Sequence, residues 1–135
     1  MNPLDLPVRA MPRDLRIIIV DDDALNIYII TQFLHEMKIP TIIPAKNGIE
    51  AVTAYCESVE KGEPLKVITM DLDMPNMNGK EASTRIRMYE KEKNLNSVPI
   101  VIISGNCTES EISECIRPDG LIRARTFLKK PVKFE

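Results

Sequence analysis

Three runs in this chain, RIIIV (16–20), KVITM (66–70) and VPIVIIS (98–104), are apolar and largely β-branched at consecutive positions, not at every second one. A strand with one face in water alternates apolar and polar residues. A continuous run of this kind therefore expects burial on both faces. Helix-like periodicity follows each run, so strand and helix alternate along the chain. Alternation with doubly buried strands predicts a parallel sheet covered by helices on each side.

Leu25, Ile29, Phe33 and Met37, spaced by four, predict a first helix. TIIPA (41–45) reads as a second strand, and Pro44, which has no N–H to donate, assigns it to an edge. Asn47 is a candidate cap for a helix carrying Ile49, Val52, Cys56 and Val59, which Gly62 and Pro64 terminate. A third helix is expected over residues 80–93 with Ala82, Ile86 and Tyr89 inward. Thr108 and Glu111 form a capping-box pattern for a short fourth helix carrying Ile112, Cys115 and Ile116, closed by Pro118 and Gly120. RTFLKK (125–130) is the fifth strand, stopped by Pro131. Residues 1–14, with three prolines, read as an irregular N-terminal extension to one domain over 15–135. An edge second strand beside the first gives the order 2-1-3-4-5, a flavodoxin-like doubly wound five-stranded sheet.

Length and composition suit a single soluble globular domain: 135 residues, 44% hydrophobic and 28% charged. With 18 basic and 20 acidic residues the net charge is −2, which gives no reason to expect direct nucleic-acid binding. No apolar run reaches the roughly 20 residues of a membrane span, and no signal-peptide core is present. Cys56, Cys107 and Cys115 lack metal-site spacing and read as reduced thiols of a cytoplasmic protein, packed as small apolar fillers. His35 reads as a surface or partly packed residue and not a phosphodonor, the charged stretch YEKEKN (89–94) as a solvated helix end, and Met70, Met74, Met77 and Met88 as core or loop fillers, while Arg117, Arg123 and Arg125 read as part of a solvated loop, with contact to a partner as the alternative.

The polar residues gather where strands end. Asp21 and Asp22 follow the first strand, Asp71 closes the third, Ser104 the fourth and Lys130 the fifth. In a parallel sheet all these ends share the edge at which doubly wound folds bind ligands. Carboxylates crowded there repel one another unless a cation compensates. All-oxygen donors without nearby His or Cys favour Mg2+ or Mn2+ over Zn2+. A carboxylate, a hydroxyl, an ammonium and a hard cation are also the groups that phosphoryl transfer onto an Asp requires.

IIIVDDDALN (17–26), VITMDLDMPNMNG (67–79), IVIISG (100–105) and FLKKP (127–131) resemble, in order and spacing, the four signatures of the receiver domains of two-component response regulators. The resemblance implies a phosphoacceptor of a His-Asp phosphorelay, a signalling domain that catalyses its own phosphorylation and slow dephosphorylation. Its donor would be a histidine kinase or histidine phosphotransfer domain, and membership in a larger hybrid histidine kinase fits the same resemblance. Asp71 would be the phosphoacceptor, Asp22 a direct metal ligand, Asp21 its acidic partner, and Asp73 a ligand through its backbone carbonyl. Ser104 and Lys130 would contact the phosphoryl group, and Phe127 would be the aromatic switch position, acting by packing alone. Asp73 and Asn106 match positions that tune phosphoryl lifetime, and Lys130–Pro131 matches a peptide bond that is often cis.

The chain departs from the family at Glu135, where a fifth helix would begin. Its absence should bare apolar surface on strands one, three and five. Truncation, cover by residues 1–14 and a homodimer through the bare face are the three readings. Gly105, where alanine is usual, should keep access to Asp71 open. Two other functions compete. DLDMP also resembles the Asp-x-Asp of haloacid-dehalogenase-type phosphohydrolases, although those place the acidic pair last and the signature strand first. A degenerate receiver used only for protein binding is the other, against which the intact acidic pair, Asp71, Ser104 and Lys130 argue.

Overall fold

The computed structural model describes residues 15–39, 41–105 and 107–130. Five strands and four helices alternate among them: β1 (Arg16–Val20), α1 (Ala24–Glu36), β2 (Thr41–Ala45), α2 (Gly48–Glu60), β3 (Leu65–Asp71), α3 (Gly79–Lys93), β4 (Ile100–Ser104), α4 (Glu109–Ile116) and β5 (Thr126–Lys129). All neighbouring strands are parallel, in the order β2-β1-β3-β4-β5. This is the expected doubly wound sheet, with β2 at an edge and Pro44 exposed on it. No helix follows β5 among the described residues; Pro131 and the chain end lie outside them, as do Asn106 and the extension 1–14.

The strand pleat sorts the apolar runs into two cores. Ile18, Val20, Ile68, Met70, Ile100 and Ile102 face α2, α3 and α4, and Ile17, Ile19 and Ile103 face α1. Ile18, Ile19, Ile68, Ile100 and Ile102 are completely buried, each stabilising the fold by about 1.5–3 kcal/mol. The expectation of apolar exposure on β1 is therefore corrected, because α1 alone covers that strand. The incompletely covered strip is Val67 and Val101, which are half-buried, with Leu128, which is exposed.

The caps expected at Asn47 and Thr108 form, and Asp23 and Asn78 add two more. Asp23, Asn47, Asn78 and Thr108 each accept a backbone N–H of the helix they open, and Thr108 with Glu111 completes a capping box. Three helix faces differ from expectation. On α1 the stripe toward the sheet is Ile27, Ile30 and Leu34, while Leu25, Ile29 and Met37 are exposed. On α2 the buried residues are Gly48, Ala51, Tyr55 and Ser58, with Ile49 exposed and Val52, Cys56 and Val59 packed at the margin. On α4 Cys115 is buried, as expected of a filler, but Ile116 is exposed. Met88 is likewise surface and fills nothing.

The largest departure lies on α3. Glu90, read from the sequence as solvated, is buried with Arg87 in an ion pair of 2.9 Å. Arg87 also donates to the carbonyls of Ile122 (2.7 Å), Val98 (2.8 Å) and Arg123 (3.2 Å). Glu90 accepts from the Val98 amide and the Tyr55 hydroxyl. This network ties α2, α3, the approach to β4 and the α4–β5 link together. That link is consequently not a solvated loop: Ile122 and Ala124 are buried, although its arginines are exposed.

Candidate functional site

The site forms because β1, β3, β4 and β5 end in register at one edge. Asp71 pairs with Ile103, and Ser104 with Lys129. The Asp21 amide continues the ladder to Ala45, and the Lys130 amide donates to the Ser104 carbonyl at 3.0 Å. Asp21, Asp71 and Ser104 are thereby buried, whereas Asp22 and Asp73 are exposed.

Asp21, Asp22 and Asp71 each offer one carboxylate oxygen to a cluster within 4.8 Å. Lys130 Nζ reaches two of these groups, 3.1 Å from Asp21 Oδ2 and 3.2 Å from Asp71 Oδ2. Asp21 is further held by the Asp23 amide (2.8 Å) and by Asn26 Nδ2 (3.2 Å). Asp71 Oδ1 accepts the Asp73 amide at 3.2 Å. The Asp73 carboxylate accepts the Ser104 hydroxyl at 3.3 Å.

The electrostatics follow from this packing. Burial pushes the Asp71 carboxyl above the ordinary carboxylate value; Lys130 pulls it back and Asp21 adds to the rise. Burial lowers the Lys130 ammonium, but hydrogen bonds to Asp21 and Asp71, together with their charge, outweigh it and raise Lys130 overall. Three carboxylates around one ammonium leave negative charge unbalanced. The donor set is all oxygen, which fits a hard divalent cation.

The chain around Asp71 has no spare room. A Cβ on Gly79 would overlap the Asp71 carbonyl, and one on Gly48 would overlap the Met77 carbonyl, to which the Gly48 amide donates at 2.9 Å. The β3–α3 connection is thus clamped from two helices. Gly105 is different: a Cβ there would meet only Lys130, at ordinary contact distance. Beside the cluster lies a groove of about 500 Å³ whose lining includes Asp22, Asp73, Lys80 and Glu111. Lys80 joins α3 to α4 through Glu111 (3.5 Å) and Glu114 (3.1 Å).

The sequence-predicted Asp21, Asp22, Asp71 and Lys130 come together in one cluster, with Ser104 alongside through Asp73. Phe127 is half-buried against the core beneath α4, and Asn106 is outside the described residues. Sequence reasoning assigned no role to Asn26 or Lys80. The signal for Asn26 was its place in the first turn of α1, five residues beyond Asp21. Lys80 had none, since its partners lie on another helix.

A family model described as the response regulator receiver domain matches residues 17–135. The sensor protein GacS of Pseudomonas syringae pv. syringae is 30% identical over 96 residues, which are 71% of this chain and 10% of that protein. The chain spans only about a tenth of the length of the curated relatives matched first. Among solved structures, the Saccharomyces cerevisiae co-crystal of the histidine phosphotransfer protein Ypd1 with the receiver domain of Ssk1 aligns with a TM-score of 0.74 at 30% identity, covering 89% of this chain and 81% of that one. The receiver domain of the Arabidopsis thaliana histidine kinase CKI1, complexed with Mg2+ and BeF3−, aligns at 0.69 and 29% identity, covering 87% and 82%.

Proposed function

Because this chain belongs to the response regulator receiver domain family, we propose that it accepts a phosphoryl group from a phosphohistidine onto Asp71 and changes conformation in response. The observation that carries the proposal is the acidic cluster of Asp21, Asp22 and Asp71 with Lys130 bridging two of its members. An Asp71 oxygen forms the new O–P bond as the donor's N–P bond breaks, and the electron pair leaves with the imidazole nitrogen. Lys130, already at Asp71, neutralises charge on the phosphoryl oxygens, and the Ser104 hydroxyl donates to one of them. Asp21, Asp22, Asp71 and the Asp73 carbonyl would hold Mg2+, or Mn2+, which supplies the remaining charge neutralisation. Phe127 repacks against α4 as Ser104 moves, and Asp73 and Asn106 tune how long the acyl phosphate lasts.

The receiver unit in this reading spans 15–135, after an extension over 1–14, and works in the cytoplasm. That compartment fits the unpaired Cys56, Cys107 and Cys115 and the absence of any described helix long and apolar enough to cross a membrane. The donor is a histidine kinase or histidine phosphotransfer domain, and the reading includes self-catalysed phosphorylation from small phosphodonors and slow hydrolysis. The strip of Val67, Val101 and Leu128 is the surface through which two copies would associate. Acetyl phosphate with Mg2+, followed by intact mass, tests the central claim. One phosphoryl group should add to the wild type as an acid-stable, base-labile acyl phosphate and none to Asp71→Asn. Equal labelling of both would overturn the assignment.

A further inference from the structure

The Ser104 hydroxyl has one proton to donate. In this structure it goes to Asp73 Oδ2 at 3.3 Å, while the Asp71 oxygens accept the Asp73 amide and Lys130. Ser104 is completely buried, so releasing that proton without another acceptor is costly. Asp73 sits on the β3–α3 connection, whose Leu72 and Met77 carbonyls accept the Gly79 and Gly48 amides, and Ser104 is the last residue of β4, its carbonyl held by the Lys130 amide. The backbone is held on both sides of the hydrogen bond, and the hydroxyl changes acceptor by turning about χ1.

We propose that the Asp73 carboxylate is a resting-state latch that holds the Ser104 hydroxyl away from Asp71, so that phosphorylation proceeds only by breaking the Ser104–Asp73 hydrogen bond. The proposal rests on the phosphoacceptor reading and makes Asp73 a positioning residue acting through Ser104. A phosphoryl group at Asp71 competes for the same proton as a more highly charged acceptor. Removing the latch lowers the cost of the switched arrangement and tightens any ligand that selects it.

The test is a double-mutant cycle in the full chain with wild type, Asp73→Ala, Ser104→Ala and the pair, titrated with beryllofluoride at saturating Mg2+. Loss of a negative charge alone would tighten binding equally in both backgrounds. The latch requires the gain from Asp73→Ala to be about fivefold larger with Ser104 present than in Ser104→Ala, as expected for one hydrogen bond of about 1 kcal/mol. Equal gains overturn it. A metal-free readout runs alongside: Ser104 χ1 couplings should report one rotamer in the wild type and averaging in Asp73→Ala, and unchanged couplings overturn the latch. Failure of the wild type to bind beryllofluoride would instead overturn the phosphoacceptor reading, and the couplings would then decide the hydrogen bond by themselves.

Discussion

Two polar clusters sit at opposite edges of the same sheet and are built on opposite terms. At the amino edge, Arg87 and Glu90 are buried as one positive and one negative charge, Arg87 further bonded to backbone carbonyls and Glu90 to the Val98 amide and the Tyr55 hydroxyl. At the carboxyl edge, three carboxylates face one ammonium. The first is closed and stabilises the way α3 packs on the rest. The second retains a repulsion among carboxylates that a divalent cation would relieve. A receiver domain needs both: a site with unspent affinity and a distant scaffold rigid enough to keep that affinity from dispersing.

The contrast is broken most directly at its closed end. Glu90→Ala leaves Arg87 buried without its counter-charge and should cost about 3–5 kcal/mol, read as a lower urea midpoint. An unchanged midpoint would show that the network is ornamental. At the open end the sign should reverse. Asp71→Asn removes a carboxylate whose charged form burial disfavours and should raise stability at neutral pH in chelator, read as a higher urea midpoint. Since the folded Asp71 carboxyl is raised above the ordinary value of 3.8, the wild type binds its proton more readily folded than unfolded. Its stability therefore falls as pH rises from 3.8 through the raised value. The gain from Asp71→Asn should vanish below that window, and Mg2+ should reverse it by stabilising the wild type. A gain independent of pH would point to packing instead. The smallest effect belongs to an exposed control: Arg85→Ala breaks the Arg85–Glu81 pair on the α3 surface and should cost only about 0.3–0.5 kcal/mol in the same denaturation assay.

What could be read from the chain was what is local. Strand order followed from Pro44 and the continuous apolar runs, and Asp23, Asn47 and Thr108 stood where helices open. The carboxyl-edge cluster was legible for a topological reason: a parallel sheet brings its strand ends together whatever the side chains between them do. Helix orientation was harder. α1 is apolar on more than one side, so Leu25–Ile29–Phe33 and Ile27–Ile30–Leu34 compete, and only the sheet chooses. Glu90 was lost inside a charged stretch because its i,i+3 pair with Arg87 looks like any surface pair of a helix, and the groups that bury it, Tyr55 and Val98, lie elsewhere in the chain. Extending the inward stripe of α3 through Ala82, Ser83 and Ile86 reaches Arg87 and Glu90 and was the available clue. The Ser104–Asp73 contact depends on where two loops stand relative to each other, which no spacing encodes.

The two clamping glycines carry a consequence for anyone surveying variants of this protein. Gly48 and Gly79 hold no reactive atom, yet a side chain at Gly79 must displace the Asp71 carbonyl itself, and one at Gly48 the Met77 carbonyl on the connection that follows Asp71. A saturation screen scored on phosphate uptake should therefore rank these positions with the acidic residues. Only by asking whether the damage tracks bulk or chemistry, alanine against larger replacements, would such a screen tell a reacting group from the clearance that lets it be reached.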